Sequence, residues 1–177
     1  MSNNSHWRDR GSVALARSAD NPGPLVLTSL ATFPGAVVAG SLSRGLLVIE
    51  NGNVREIQPK PTGFFVRALA IDDGGKVWLG TRSRRAEPGL FTGAYDSLKR
   101  NEASTGTVLT IQPIGKGMFI GTDGNGVFRF ENDEFERFTF EGTAGGLRSD
   151  RIYAIFADRE GVIWFGTDRG VSRYDPN

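Results

Sequence analysis

Between Arg151 and Pro176 the chain alternates apolar runs with clusters of turn residues. Ile152 to Ala157 is apolar, Asp158 and Gly161 mark a turn, and a second apolar run ends in Trp164-Phe165-Gly166-Thr167. Asp168-Arg169-Gly170 then turns the chain into Val171-Ser172-Arg173-Tyr174. Short apolar runs bounded by Asp and Gly predict strands joined by tight turns. The pattern recurs upstream. Gly166 is preceded by Gly121, Gly80 and Gly40, at spacings of 45, 41 and 40 residues. A bulky residue stands two positions before each (Val38, Trp78, Phe119, Trp164), and a glycine opens each third strand (Gly45, Gly89, Gly126, Gly170). A fixed period of this length is the signature of a repeat architecture.

The chain divides into a polar segment, residues 1–24, and four repeats over 25–64, 65–105, 106–150 and 151–177. In the first segment only Ser12 to Arg17 has strand character, a candidate closing strand. Repeat one predicts strands at Leu25–Ala31, Ala36–Ser41, Gly45–Glu50 and Asn53–Gln58. Asn51-Gly52 between the last two is a strong hairpin signal, because a type I′ turn needs positive φ at both central residues. Repeat two predicts Phe65–Ile71, Lys76–Thr81, Gly89–Gly93 and a weak fourth element near Tyr95–Lys99, with a short helix over Ala94–Thr105 as the competing reading. Repeat three predicts Thr107–Gln112, Gly117–Thr122, Gly126–Glu131 and Glu134–Phe140. Repeat four offers three strands.

The first strand of each repeat reads apolar on both faces, with Tyr153 and Ile155 pointing one way and Ile152, Ala154 and Phe156 the other. The fourth is mostly charged, as in Glu134-Phe135-Glu136-Arg137-Phe138. Burial is therefore expected to fall from first strand to fourth. Four antiparallel strands graded in this way and repeated radially predict an all-β fold, a β-propeller with the first strand innermost. Trp164 and Gly166 share a face, as do Trp78 and Gly80. The missing side chain at each glycine is expected to admit a bulky neighbour from the adjacent blade.

The stretch GLRSDRIYAIFADREGVIWFGTDRGVSRYDP resembles the two-component regulator propeller repeat: an apolar strand, Asp-x-x-Gly, Trp-x-Gly-Thr, a Gly turn, then Arg-Tyr-Asp. Repeat three keeps Phe119-Ile120-Gly121-Thr122, and repeat two keeps Asp72-Asp73-Gly74-Gly75 with Trp-Leu-Gly-Thr. Repeat one is degenerate, with Val38-Ala39-Gly40-Ser41 and no Asp at the turn. The resemblance covers roughly residues 25–176. It implies seven-bladed sensor propellers of bacterial signalling proteins, extracytoplasmic or periplasmic, usually followed by a further β domain, a membrane span and a kinase. This chain holds about four blades and neither span nor kinase. Four blades fall within the range for a closed ring; the family's blade shape favours part of a larger one, completed by other blades or subunits.

Composition narrows this little. The chain has 177 residues, enough for one domain with a sizeable core. Its 24 glycines, about twice the usual ~7%, fit many tight turns. No apolar run approaches the ~18 residues of a membrane span, so no membrane insertion is expected. No export signal is visible at the N-terminus. With no cysteine and one histidine, His6, neither the usual zinc sets nor a Ser-His-Asp triad can be assembled within the repeats. No cofactor and no catalysis are expected. Asp123-Gly124-Asn125-Gly126 lacks the remainder of a calcium loop and reads as a turn. Asp72 and Asp158 precede a glycine at equivalent turns, where an Asx-type hydrogen bond to the backbone explains them.

Charge sorts by blade end. Loops between second and third strands, and between blades, emerge together; they carry ten basic against six acidic residues, and the opposite end three against nine. Arg44, Arg82, Arg84, Arg85, Arg148 and Arg169 are the candidate ligand-binding residues, because guanidinium forks suit carboxylates and phosphates. The expected function is a non-catalytic ligand-sensing module taking an anionic small molecule or saccharide. A protein–protein scaffold is the alternative, and a propeller lyase or hydrolase the third reading. Net charge of +1 and the absence of aromatics among the arginines argue against nucleic acid.

Overall fold

Tight turns let each strand pair with its successor, so every repeat becomes one antiparallel sheet. The computed structural model describes residues 25–57, 65–82 and 87–176; the candidate closing strand Ser12 to Arg17 lies outside them. Blade 1 comprises β1 (Leu27–Phe33), β2 (Ala36–Ser41), β3 (Leu46–Glu50) and β4 (Asn53–Ile57). Blade 2 comprises β5 (Phe65–Ile71), β6 (Val77–Arg82), β7 (Gly89–Gly93) and β8 (Lys99–Thr105). Blade 3 comprises β9 (Val108–Ile114), β10 (Gly117–Thr122), β11 (Val127–Glu131) and β12 (Glu134–Phe138). Blade 4 has β13 (Ile152–Ala157), β14 (Ile163–Thr167) and β15 (Gly170–Tyr174). Strand order is sequential in all four sheets, as propeller blades require. The fourth element of repeat two is corrected: it is the strand Lys99–Thr105, not Tyr95–Lys99 and not a helix. Residues 94–98 form the turn before it.

The turns use the chemistry their residues supply. Asn51 and Gly52 take φ of 49° and 77°, the type I′ signature. Asp72 Oδ1 accepts the amides of Gly74 and Lys76 at 3.0 and 2.9 Å, and Asp158 Oδ1 those of Glu160 and Val162 at 3.0 and 2.9 Å. The second oxygen of each carboxylate does something the Asx reading missed. Trp78 Nε1 donates to Asp72 Oδ2 at 2.9 Å, and Trp164 Nε1 to Asp158 Oδ2 at 2.7 Å. An Asp six residues before a Trp thus fixes the turn and the indole together. The hydroxyl after the repeat glycine closes the next turn: Thr81, Thr122 and Thr167 donate to the carbonyls of Gly89, Gly126 and Gly170 at 3.0, 2.7 and 2.8 Å.

Between blades, each first strand packs on the first and second strands of the preceding blade: β5 on β1 and β2, β9 on β5 and β6, β13 on β9 and β10. The repeat glycine makes this approach possible. A Cβ at Gly40 would lie 2.4 Å from Val66 Cγ1, at Gly80 2.5 Å from Val108 Cγ1, and at Gly121 2.8 Å from Ile152 Cγ2. Each glycine is therefore a socket for a β-branched residue at the start of the next blade's inner strand. The Thr28 hydroxyl adds a polar tie, donating to the Val66 carbonyl at 2.7 Å. Three apolar clusters follow from these contacts, one at each junction.

Two expectations about the inner strand are corrected. Burial peaks at the second strand rather than the first: all of β10 is buried, whereas β9 is buried only at Val108 and Ile111. A second strand has partners on both edges and sheets over both faces, while an inner strand lacks a partner on its axial edge. The facing of β13 also differs. A β-bulge between Ile152 and Ala154 breaks the alternation, so Ile152 and Ile155 face blade 3 together while Tyr153, Ala154 and Phe156 are exposed. The same register shift occurs between Val66 and Ala68 in β5.

Gly121→Ala is expected to destabilise the protein by about 1–3 kcal/mol, through overpacking against Ile152. Gly117→Ala in the same strand, whose added carbon would find nothing nearer than 3.5 Å, is expected to stay within about 0.5 kcal/mol of wild type. Urea denaturation of the two variants checks the pair. The Trp164 indole holds the Asp158 carboxyl below its ordinary value of 3.8. Its stabilising contribution is thus complete above that value and is lost as pH falls through the depressed one. Wild type should lose more stability than Asp158→Asn on acidification below about pH 4; parallel acid titrations of the unfolding free energy would expose any failure.

Candidate functional site

Antiparallel order sends the β2–β3, β6–β7, β10–β11 and β14–β15 turns, and every blade-to-blade connection, to one end of the sheets. The candidate arginines fall there in three different situations. Arg44 is buried and ion-paired with Glu56. Arg82 ends β6, Arg148 stands in the β12–β13 connection and Arg169 on the β14–β15 turn; all three are exposed, with no ion pair among the described residues. Arg84 and Arg85 lie outside the described residues. The charge sorting changes as well. Lys99, Arg100 and Glu102 belong to β8 rather than to a loop, and Lys99 pairs with Thr92, toward the opposite end. The described residues at the loop end then balance, five basic (Arg44, Arg82, Arg148, Arg151, Arg169) against five acidic (Glu87, Asp123, Glu141, Asp150, Asp168). The expected basic excess is not carried by them.

A cleft does form at this end, where blades 3 and 4 meet. The connection from β12 to β13 runs from Thr139 to Arg151 and is held by its own side chains. Thr139 Oγ1 accepts the amide of Gly142 at 2.9 Å, and Thr143 Oγ1 that of Leu147 at 2.8 Å. Asp150 anchors it to blade 3. Its carbonyl accepts the amides of Gly124 and Gly126 at 3.1 and 2.8 Å, and its carboxylate accepts the amide of Phe140 at 2.7 Å. On the blade 4 side, the Arg148 amide donates to Ser172 Oγ at 2.8 Å. The result is a cleft of about 310 Å³ lined by Gly124, Phe140, Ser149, Asp150, Arg151, Asp168 and Arg169.

Its electrostatics are set by one arginine held between two carboxylates. Arg151 Nε donates to Asp123 Oδ1 at 2.5 Å, and its guanidinium lies 3.5 Å from Asp168 Oδ2. The Asp123 hydrogen bond raises the Arg151 pKa, so this group stays cationic at any physiological pH, with its charge locally neutralised. Arg169, beside it on the β14–β15 turn, contributes a guanidinium outside these pairs. Phe140 adds an exposed aromatic face, and Asp150 and Asp168 supply acceptors. The lining therefore sets one cationic fork beside two carboxylate acceptors and an aromatic ring. Phe140, Asp150 and Arg151 were not singled out from the sequence. The only signal available was their place in the longest connection between repeats.

A second cleft, about 300 Å³, opens at the opposite end between blades 2 and 3, with Asp72, Asp73 and Lys116 at its rim. Its aromatic floor is structural. Trp78 is buried, its ring 4.9 Å from Phe130, and Lys76 Nζ sits 4.6 Å from the Trp78 centroid. Among the described residues no three His, Cys, Asp or Glu side chains come together as a metal site.

Residues 146–169 match the two component regulator propeller family. No curated protein matches the chain. Among solved structures, the chain is similar to the extracellular domain of BT4673 from B. thetaiotaomicron, described as a one component system in one structure and as a hybrid two component system in another. Identity is 25% in both, TM-scores are 0.69 and 0.67, and the matches cover 85% of this chain. The extracellular domain of the hybrid two component system BT3049 from the same organism is 22% identical with a TM-score of 0.60, over 80% of this chain and 19% of that one. The chain spans about a fifth of the length of these extracellular domains, 21% and 22% for BT4673. The glycine sockets, the Asp–Trp turns and these likenesses together show a β-propeller, in which residues 146–169 carry the match to the two component regulator propeller.

Proposed function

We propose that this chain is a non-catalytic ligand-sensing module of extracytoplasmic bacterial signalling, taking an acidic saccharide or similar small anion in the cleft between blades 3 and 4. The carrying observation is the grouping of Arg169, Phe140, Asp150 and Asp168 around one opening, on a fold shared with the extracellular domains of one- and two-component systems. Each part has a job. Arg169 offers a charge-assisted fork for a carboxylate. Phe140 offers an apolar ring on which the C–H face of a sugar can pack. Asp150 and Asp168 accept from hydroxyls. Arg148 lies in the β12–β13 connection and does not line the cleft. Arg82 stands on blade 2; Arg44 is engaged with Glu56 and serves structure in this reading.

The reading favours a mono-anionic, hydroxyl-rich ligand over phosphate-rich ones, because Asp123, Asp150 and Asp168 crowd the same space. Titration calorimetry with glucuronate, glucose and inorganic phosphate tests it. Glucuronate is expected to bind wild type more tightly than the other two, and Arg169→Ala to weaken it at least about tenfold, the effect of losing a charged hydrogen bond. Arg82→Ala should leave it unchanged. Equal loss in both variants, or no glucuronate binding to wild type, defeats the assignment.

A further inference from the structure

Asparagine is followed by glycine at two places in the described residues, Asn51-Gly52 and Asn125-Gly126. Such a pair carries chemistry of its own. The glycine amide nitrogen can close on the side-chain carbonyl carbon of the asparagine, because no side chain on the glycine obstructs the approach. What holds the two residues decides whether it does.

The two sites are held in opposite ways. Asn125-Gly126, in the β10–β11 turn, is fastened from several directions. The Gly126 amide donates to the Asp150 carbonyl at 2.8 Å, the Asn125 amide donates to Thr122 Oγ1 at 3.0 Å, and the Asn125 carbonyl accepts Arg137 Nε at 2.8 Å. Gly126 is also buried. Asn51-Gly52 joins β3 to β4, and both residues are exposed. A Cβ added at Gly52 would meet nothing within 4 Å. Neither the Gly52 amide nor the Asn51 side chain has a hydrogen-bond partner among the described residues. Behind them the turn is closed by the Glu50–Asn53 pair. A hairpin end with so few contacts opens locally, which supplies the rotation about Asn51 ψ that ring closure needs.

We propose that Asn51 is a site of spontaneous deamidation selected by the fold. The Gly52 nitrogen forms a bond to Asn51 Cγ as the Cγ–Nδ2 bond breaks. The proton that Gly52 gives up to solvent is returned to the departing nitrogen, which leaves as ammonia, and a five-membered succinimide remains. Water then opens the ring at either carbonyl, to aspartate or to isoaspartate. Both products place a new carboxylate beside Glu50. Isoaspartate also adds an atom to the main chain of a two-residue turn whose length fixes the β3–β4 register. The modification therefore acts on the outer edge of blade 1, away from the blade 3–4 cleft.

Incubation of the 177-residue chain at mildly alkaline pH, native and in urea, followed by tryptic mass mapping, tests the inference. The tryptic peptides Gly45–Arg55 and Gly117–Arg129 separate the two sites, and fragmentation assigns the change to Asn51 rather than Asn53. Deamidation reads as a gain of about one dalton. In the native chain Asn51 is expected to convert at least about tenfold faster than Asn125, whose amides are protected by the fold. In urea the two rates should converge. No gain at native Asn51 over a period in which the urea-treated chain converts overturns the inference. So does an equal rate at the two native sites. A preference for Asn51 that persists in urea overturns it as well, by placing the selectivity in the local sequence.

Discussion

Everything in this fold depends on one steric arrangement, a glycine in the second strand of a blade filled by a β-branched side chain from the next. Val66, Val108 and Ile152 approach Gly40, Gly80 and Gly121 so closely that no Cβ would fit. The contact places the start of each inner strand over the middle of its neighbour and so fixes how far adjacent blades can close. Burying such a Val or Ile is worth about 1.5–3 kcal/mol each, and each junction adds a cluster around it. Because each blade touches its sequence neighbours, stability is close to a sum of blade and junction contributions, as in other repeat proteins.

The turn residues serve the same end from within the blade. Asp72 and Asp158 each use one oxygen to shape the first turn and the other to hold an indole. In blade 2 that indole is Trp78, which packs against Phe130 of blade 3 and lies under Lys76. In blade 4 the corresponding Trp164 lies on a face that no other described blade covers. Identical local hydrogen bonding thus produces a core residue in one repeat and a partly exposed one in another. The difference comes entirely from the neighbour.

The arginines show how a count of charges departs from a field. Arg44 and Arg151 contribute to a basic sum along the chain, yet Glu56 neutralises the first and Asp123 with Asp168 the second. Among the described candidate arginines, those exposed and outside ion pairs are fewer than the sum suggests: Arg82, Arg148 and Arg169.

The repeat period, the all-β class, the socket glycines and the type I′ turn at Asn51-Gly52 are legible in the residues alone. These features are local: a turn's φ values and a strand's period-two patterning are set by residues within a few positions of one another. β8 is less legible, since Ala94 to Thr105 lacks the Gly and Pro punctuation that bounded other strands. Which arginines are spent in ion pairs depends on long-range folding, because partners such as Asp123 and Arg151 lie 28 residues apart. That folding also turns Ile152 and Ile155 the same way, since a bulge suspends the alternation on which sequence reading relies. Which sockets are filled was likewise a tertiary matter, for a glycine looks the same in sequence whether or not a neighbour reaches it.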